Sequence, residues 1–115
     1  MHNIQHSLSV VLATHNEEKN LDRCLSAIAD IATEIIIADG ASSDATVAIA
    51  KRYKATVIAT TNKPNFHINK QLAMDKARGT FVLQLDADEV VDAELSKSIV
   101  TLLQNYSDAN PIKAW

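Results

Sequence analysis

Apolar and polar positions along the chain follow two alternating patterns. Short apolar runs rich in β-branched residues are typical of buried strands, and they cover residues 8–14, 34–39, 56–60 and 80–86. The intervening segments place apolar residues three or four positions apart, which predicts helices at about residues 18–31, 45–53, 68–77 and 92–105. Asp44 is the expected N-cap of the second helix, and Gly79 ends the third.

This alternation predicts an α/β fold. Continuous apolar strands separated by helices are typical of a parallel sheet that is covered by helices on both faces. Right-handed crossovers then favour a Rossmann-like sheet with the strand order 3-2-1-4. We expect residues 1–7 to be a short lead-in and residues 8–115 to form one domain.

Polar residues follow three of the predicted strands at their carboxyl ends. In chain order they are Thr14, His15, Asn16, Glu17, Asp39, Asp86 and Asp88. The carboxyl ends of parallel strands share one edge of the sheet, and ligands bind at the crevice where the strand order reverses. That reversal lies between strands one and four, so the sequence predicts a ligand site there.

Two of these acids suggest a metal ion. If the fourth strand stays extended to its end, Asp86 and Asp88 point to the same face. Like charges that lie so close are stabilised by a cation between them, and carboxylate oxygens suit magnesium or manganese. A simpler interpretation is open as well, because acids are also favoured at a strand end that precedes a helix N-terminus.

Composition narrows the range of possible ligands. The net charge of −3 argues against a nucleic-acid partner. Cys24 is the single cysteine, so an internal disulfide is impossible and a reducing compartment is expected. The two glycines, Gly40 and Gly79, cannot make a G-x-G-x-x-G fingerprint or a Walker loop. A nucleotide whose phosphates are held through a divalent ion fits better.

Four motifs in order resemble family 2 glycosyltransferases of the GT-A fold. Residues 9–18 resemble the opening strand and its P-T-Y-N-E-E ending, and residues 34–46 resemble E-I-I-V-V-D-S-G-S-T-D-G-T. Residues 69–79 resemble A-R-N-x-G-I-x-x-A-x-G, and residues 86–89 have the D-A-D-E form of the D-x-D motif. That form, with residues 65–66, is similar to the branch that extends lipopolysaccharide cores.

The resemblance implies a nucleotide-sugar site and a metal site. Asp39 would hydrogen-bond the uracil or ribose, Lys70 would lie near the base or phosphate, and Asp88 would ligate the metal that bridges the diphosphate. The metal would be manganese or magnesium, with Asp86 contacting the ribose or sugar and sharing in the metal site. The residues implied to bind the nucleotide sugar are Ala13, Thr14, Asn16, Glu17, Asp39, Lys70, Asp86 and Ala87.

Three positions depart from the family pattern. Ala13 stands in place of proline, His15 in place of tyrosine, and Lys70 in place of arginine, which loses the planar guanidinium fork. His15 has two interpretations, as a metal ligand or base and as a ring that packs against the nucleotide. We favour the second.

The resemblance implies an enzyme that transfers a sugar from a nucleoside-diphosphate donor, expected to be a UDP-sugar, during surface-glycan or lipopolysaccharide synthesis. Members of the family continue well beyond the D-x-D strand. We therefore expect this chain to be the donor-binding half of a truncated GT-A fold, with the glycan or lipid-linked acceptor held by a C-terminal half. No catalytic base is identified, so residues 1–115 alone are expected to bind the donor without transferring sugar.

Two other functions compete with that interpretation. A non-catalytic nucleotide- or metal-binding module would need the same residues, whereas a scaffold protein would not need Asp39, Asp86 and Asp88 at one edge. We expect a cytoplasmic protein, peripheral at the cytoplasmic face of the membrane in its full-length form. Apolar surface left open by a missing half would favour self-association.

Overall fold

A computed structural model describes residues 6–62 and 65–105, with the side chain of residue 66 left out. Four strands alternate with four helices in this part of the chain: β1 (Leu8–Thr14), α1 (Leu21–Ser26), β2 (Glu34–Gly40), α2 (Thr46–Arg52), β3 (Thr56–Thr60), α3 (Phe66–Asp75), β4 (Phe81–Gln84) and α4 (Ala93–Asn105). The strands form one parallel sheet in the order β3-β2-β1-β4. The predicted fold class and strand order are confirmed. Most of the expected lead-in, and residues 106–115 of the expected domain, lie outside the described residues.

Strand β1 lies at the centre of the molecule, and all of its residues are buried. Successive side chains of a strand point to opposite faces, so β1 contributes to two hydrophobic clusters. The larger cluster joins Leu8, Val10 and Leu12 to side chains of α1, α2 and α4. The smaller cluster joins Val11 to Ala73 of α3. Helices therefore cover both faces of the sheet, as predicted.

Helix α1 is much shorter than the periodicity predicts. It begins at Leu21 because the preceding residues form a turn, in which the Glu17 carbonyl accepts hydrogen bonds from the Asn20 and Leu21 amides at 3.1 and 2.9 Å. After Ser26 the chain continues in further turns, yet Ile28 and Ile31 remain in the core. The pattern indicated the buried positions correctly and the extent of the helix wrongly.

Helix α2 begins one residue later than the expected cap implies. Ala45 holds the N-cap position, so the prediction that Asp44 is the N-cap was wrong. The Asp44 carboxylate nevertheless accepts a hydrogen bond from the Thr46 amide at 2.9 Å. The side chain of the residue before the N-cap therefore accepts the hydrogen bond of a free amide in the first turn.

Strand β4 ends before the acids that follow it. Its last residue is Gln84, and one more ladder bond joins the Leu85 amide to the Val11 carbonyl at 3.1 Å. Beyond it the chain turns, with the Glu89 amide donating to the Asp86 carbonyl at 2.9 Å. The expectation of an extended strand through Asp86 was wrong. Within the described residues, no helix has the length and apolar character needed to cross a membrane.

Candidate functional site

An open cavity of about 250 Å³ lies at the carboxyl ends of β1 and β4. Strand β1 and the loop that follows it form one side, α3 forms another, and the turn after β4 forms the third. The cavity is lined by Ala13, Glu17, Lys70, Asp86, Ala87 and Asp88. Each of these six residues is among those that the sequence assigned to a nucleotide-sugar or metal site, so the structure brings them together.

The pocket is strongly acidic. Its lining contains the carboxylates of Glu17, Asp86 and Asp88 together with the ammonium group of Lys70. The Lys70 Nζ lies 3.2 Å from Asp86 Oδ1, and 18% of the lysine side chain and 49% of the aspartate side chain are exposed. Asp88 is exposed and lines the same pocket.

Cys24 lies next to the turn that follows β4, and the negative charges of the pocket affect the pKa of its thiol. It is fully buried on α1, with its Sγ 3.8 Å from the Asp86 carbonyl oxygen. Burial raises the pKa of its thiol to about 11, and the negative charges of Glu89, Asp88, Asp86 and Glu17 add to the rise in the pKa. The thiol is therefore neutral at pH 7 and serves as a packed core group rather than a nucleophile.

The carboxylates suit a metal that is shared with a phosphate group. No cluster of three or more histidine, cysteine, aspartate or glutamate side chains suited to a metal exists in the described part of the chain. Magnesium and manganese commonly take one or two protein carboxylates and complete their shell with water and phosphate oxygens. Asp88 and Asp86 are such a pair, so the donor set fits an ion held jointly with a diphosphate and not a site made by protein alone.

Three predicted site residues lie beside the pocket instead of lining it. Asp39 is only 5% exposed, and its carboxylate accepts hydrogen bonds from the Thr14 hydroxyl at 2.7 Å, the Ser42 hydroxyl at 2.6 Å and the Ser42 amide at 3.0 Å. Thr14 and Asp39 are direct partners in the β1–β2 register. Asp39 therefore ties the ends of the two strands together. Its predicted bond to a base or ribose stays a prediction.

Asn16 joins the loops that follow β1 and β2. Its backbone has a positive φ of 52°, a conformation that asparagine tolerates better than most residues. The Asn16 amide donates to the Ser42 hydroxyl at 2.8 Å, and the Ser43 amide donates to Asn16 Oδ1 at 2.8 Å. The Glu17 amide donates to the buried Thr46 hydroxyl at 2.8 Å. These bonds hold the Glu17 end of the pocket in place.

His15 is held by the backbone of β2. Its Nδ1 lies 2.6 Å from the Gly40 carbonyl oxygen, so the Nδ1–H group donates a hydrogen bond to that oxygen. This bond directs one ring nitrogen to the protein. The prediction that the ring packs against a nucleotide is not tested by it.

Three residues that support the loops of the site were not assigned to it from the sequence, namely Ser42, Thr46 and Glu89. The Glu89 carboxylate accepts a hydrogen bond from the Asp86 amide at 2.7 Å and closes the turn that presents both aspartates. The signals were present, because an acid three residues after a turn residue resembles a capping box. Serine and threonine close to aspartate are likewise typical of side-chain-closed turns.

Known structures share this arrangement of sheet and helices. The structure resembles residues 1–349 of TarS from S. aureus with a TM-score of 0.71 at 26% identity, over 84% of this chain and 32% of that one. It also resembles the fold of glucosyl-3-phosphoglycerate synthase from Mycobacterium tuberculosis, with a TM-score of 0.59 at 24% identity, over 75% of this chain and 34% of that one. The fold is that of the GT-A glycosyltransferases.

The chain belongs to glycosyl transferase family 2, whose family model matches residues 9–112. An uncharacterized glycosyltransferase of Rickettsia typhi is 32% identical over 102 residues, which are 87% of this chain and 34% of the relative. The poly(ribitol-phosphate) β-N-acetylglucosaminyltransferase TarS of Staphylococcus aureus is 26% identical over 123 residues, covering 91% of this chain and 20% of TarS. The chain spans about a third of the length of the rickettsial relatives. The predicted family is confirmed, whereas the likeness to the lipopolysaccharide branch stays a prediction.

Proposed function

We propose that this chain binds the donor of a glycosyltransferase that uses a nucleoside-diphosphate sugar, a UDP-sugar in particular, together with manganese or magnesium. The observation that carries the proposal is the pocket, in which three carboxylates and one ammonium group meet at the carboxyl ends of β1 and β4. In parallel α/β sheets this is the position where ligands bind.

Each charged group of the pocket has a part in this proposal. Asp88, with Asp86, would hold the ion against the two phosphates, and Lys70 would neutralise further phosphate charge. When bound, the ion supplies Lewis-acid stabilisation to the departing nucleoside diphosphate. The neighbouring Thr14–Asp39 pair would face the nucleoside, because it lies at the ends of the adjacent strands.

The donor and acceptor are proposed from relatives. Glucosyl-3-phosphoglycerate synthase, which shares the fold, was crystallised with Mn²⁺ and UDP-glucose, and this supports a UDP-sugar and a divalent ion. TarS is named for transfer of N-acetylglucosamine to poly(ribitol-phosphate), which supports a polymeric, glycan-type acceptor. A lipid-linked or lipopolysaccharide acceptor is proposed from the motif resemblance alone. We place this reaction in the cytoplasm, at the inner face of the membrane. No residue is assigned here as the base that deprotonates the acceptor.

Calorimetric titration with UDP, CDP and GDP, each with and without manganese, tests the proposal. We expect UDP to bind more tightly with manganese, and Asp88→Asn to lose most of that gain, about tenfold or more in affinity. Asp92→Asn is the matched control, because it removes the same charge nearby and an asparagine still caps α4 as Asp92 does through the Leu95 amide.

Equal manganese-dependent gains in wild type and in Asp88→Asn would contradict the assigned metal site. A sugar-transfer assay with the complete gene product then separates the two functional classes. Transfer supports the glycosyltransferase, whereas tight UDP binding with no transfer to any acceptor supports a non-catalytic nucleotide-binding module.

A further inference from the structure

The ion pair between Lys70 and Asp86 lies inside the pocket that is proposed to hold a metal ion. The two groups come from different parts of the fold, since Lys70 belongs to α3 and Asp86 follows β4. Their charged atoms are 3.2 Å apart, and the lysine side chain is largely buried with 18% exposed. One of the two candidate metal ligands is therefore already bound to a cation of the protein.

A divalent ion and this ammonium group compete for the same carboxylate. An ion coordinated by Asp86 would lie within a few ångströms of Lys70 Nζ, where two positive charges repel strongly in a partly buried pocket. Lysine carries its charge on a flexible four-carbon stem, so the ammonium group can move without a change in the fold. A diphosphate offers it new oxygen partners, because lysine binds phosphate as a point charge.

We propose that Lys70 is a resident counter-ion, which holds Asp86 in the ligand-free pocket and moves to the diphosphate when the nucleotide binds. Asp86 is thereby released to the metal ion. Nucleotide and metal then strengthen each other's binding, by the same factor in both directions. This inference rests on the proposed function of the same pocket and gives Lys70 two successive partners, Asp86 before the nucleotide binds and the diphosphate afterwards.

Lys70→Met tests the inference, because it keeps an unbranched apolar side chain of nearly the same length and removes the charge. Manganese alone, followed by electron paramagnetic resonance of the free ion, should bind to this variant about three- to tenfold more tightly than to wild type. UDP in the presence of a chelator, followed by calorimetry, should bind about three- to tenfold more weakly. Opposite changes for the two ligands are the signature, since a merely structural role would weaken both.

Lys76→Met is the matched control. Lys76 is exposed at the C-terminal cap of the same helix, at the far end of α3 from the pocket, and the same charge is removed there. It should change neither affinity. Lys70→Gln serves as a second neutral variant should Lys70→Met be poorly folded. Lys70→Arg keeps the charge and should bind manganese no more tightly than wild type.

The outcomes separate this inference from the function on which it rests. If wild type binds UDP and manganese but neither neutral variant binds manganese more tightly, the counter-ion role is wrong and the proposed function stands. If wild type binds neither ligand, the proposed function fails and the inference fails with it. Tighter manganese binding together with weaker UDP binding in both neutral variants supports the inference.

Discussion

Asp39 shows how a single residue can hold together the loops beside the site without lining the pocket. Its carboxylate is buried and accepts three hydrogen bonds, two of them from hydroxyl groups on different loops or strands. A carboxylate has about four acceptor sites, so one is left for a ligand. The residue therefore has a structural role that its position in a sequence motif does not reveal.

Asp39→Ala should destabilise the fold by about 1–3 kcal/mol, because the Thr14 hydroxyl, which is 1% exposed, would be left without its partner. Urea unfolding followed by circular dichroism measures the loss. Asp75→Ala removes an exposed aspartate of α3 and should stay within about 0.5 kcal/mol of wild type. Equal stabilities of the two variants would show that the Thr14–Asp39 bond contributes nothing.

At the scale of elements, a second polar cluster joins three segments at the amino-terminal edge of the sheet. The Glu34 carboxylate at the start of β2 accepts hydrogen bonds from the buried Ser9 hydroxyl of β1 and from the Arg78 amide at 2.7 Å. The Gly79 amide donates to the same Ser9 oxygen at 2.8 Å. This cluster determines where the chain enters β4, and thus where Asp86 and Asp88 are presented.

Glu34 makes this cluster sensitive to acid. The hydrogen bond from Ser9 lowers the pKa of its carboxyl below the ordinary value of 4.5, burial acts in the opposite direction, and the bond from the Arg78 amide lowers the pKa further. Because the folded-state pKa is depressed, the stabilisation is present above pH 4.5 and is lost as the pH falls through the folded-state pKa.

Glu34→Gln should therefore be less stable than wild type at pH 7 and lose less further stability below pH 4.5. Unfolding free energies measured by urea titration between about pH 7 and 3 check this. Glu94→Gln, which removes an exposed carboxylate of α4 outside this cluster, is the variant for comparison. Parallel profiles for Glu34→Gln and wild type would contradict the prediction.

Gly79→Ala tests the packing of the same cluster, at the point where the chain enters β4. A Cβ atom at this position would lie 2.7 Å from Ser9 Oγ and 2.8 Å from Ser9 N, and Ser9 is fully buried in the central strand. The crowding should cost about 1–3 kcal/mol of unfolding free energy. Ala77→Ser, two residues earlier, adds a single oxygen to a partly buried side chain and serves as a comparison. A thermal midpoint for Gly79→Ala at or above that of wild type would contradict the expected crowding between residue 79 and Ser9.

At the scale of the whole molecule, stability is unevenly distributed over the sheet. Strand β1 is buried throughout and takes part in both hydrophobic clusters, whereas β3 is an edge strand with only exposed and partly buried residues. The pocket lies over β1 and β4, so its Ala13 side rests on the most protected part of the fold.

Hydrogen exchange should reflect this difference. The amides of Val10 and Leu12 should exchange only through global unfolding, whereas those of Val57 and Ala59 in β3 should exchange through local opening and hence faster. Native-state exchange followed by NMR at several low urea concentrations distinguishes the two routes. A common exchange rate for both strands would show that the sheet opens as one unit.

Much of this architecture follows from the sequence alone. Buried runs and helical periodicity are averages over many residues, so they survive local exceptions such as the short α1, and they predict the α/β class. The order 3-2-1-4 follows because crossovers are right-handed, and that order brings the ends of β1, β2 and β4 to one edge. Six of the nine predicted site residues then line one pocket, because five of them lie at or just after the carboxyl ends of β1 and β4, and Lys70 lies on α3, which packs against the sheet.

Only the tertiary structure decided how the polar side chains pair at that edge. The bond of Thr14 to Asp39, the bond of Glu89 to the Asp86 amide, and the ion pair of Lys70 with Asp86 depend on which groups approach within about 3 Å after packing. The hydrophobic periodicity of the sequence carries no information about which side chains approach each other so closely. It therefore missed the turn after β4, and it did not separate the residues that line the pocket from those that hold its walls together.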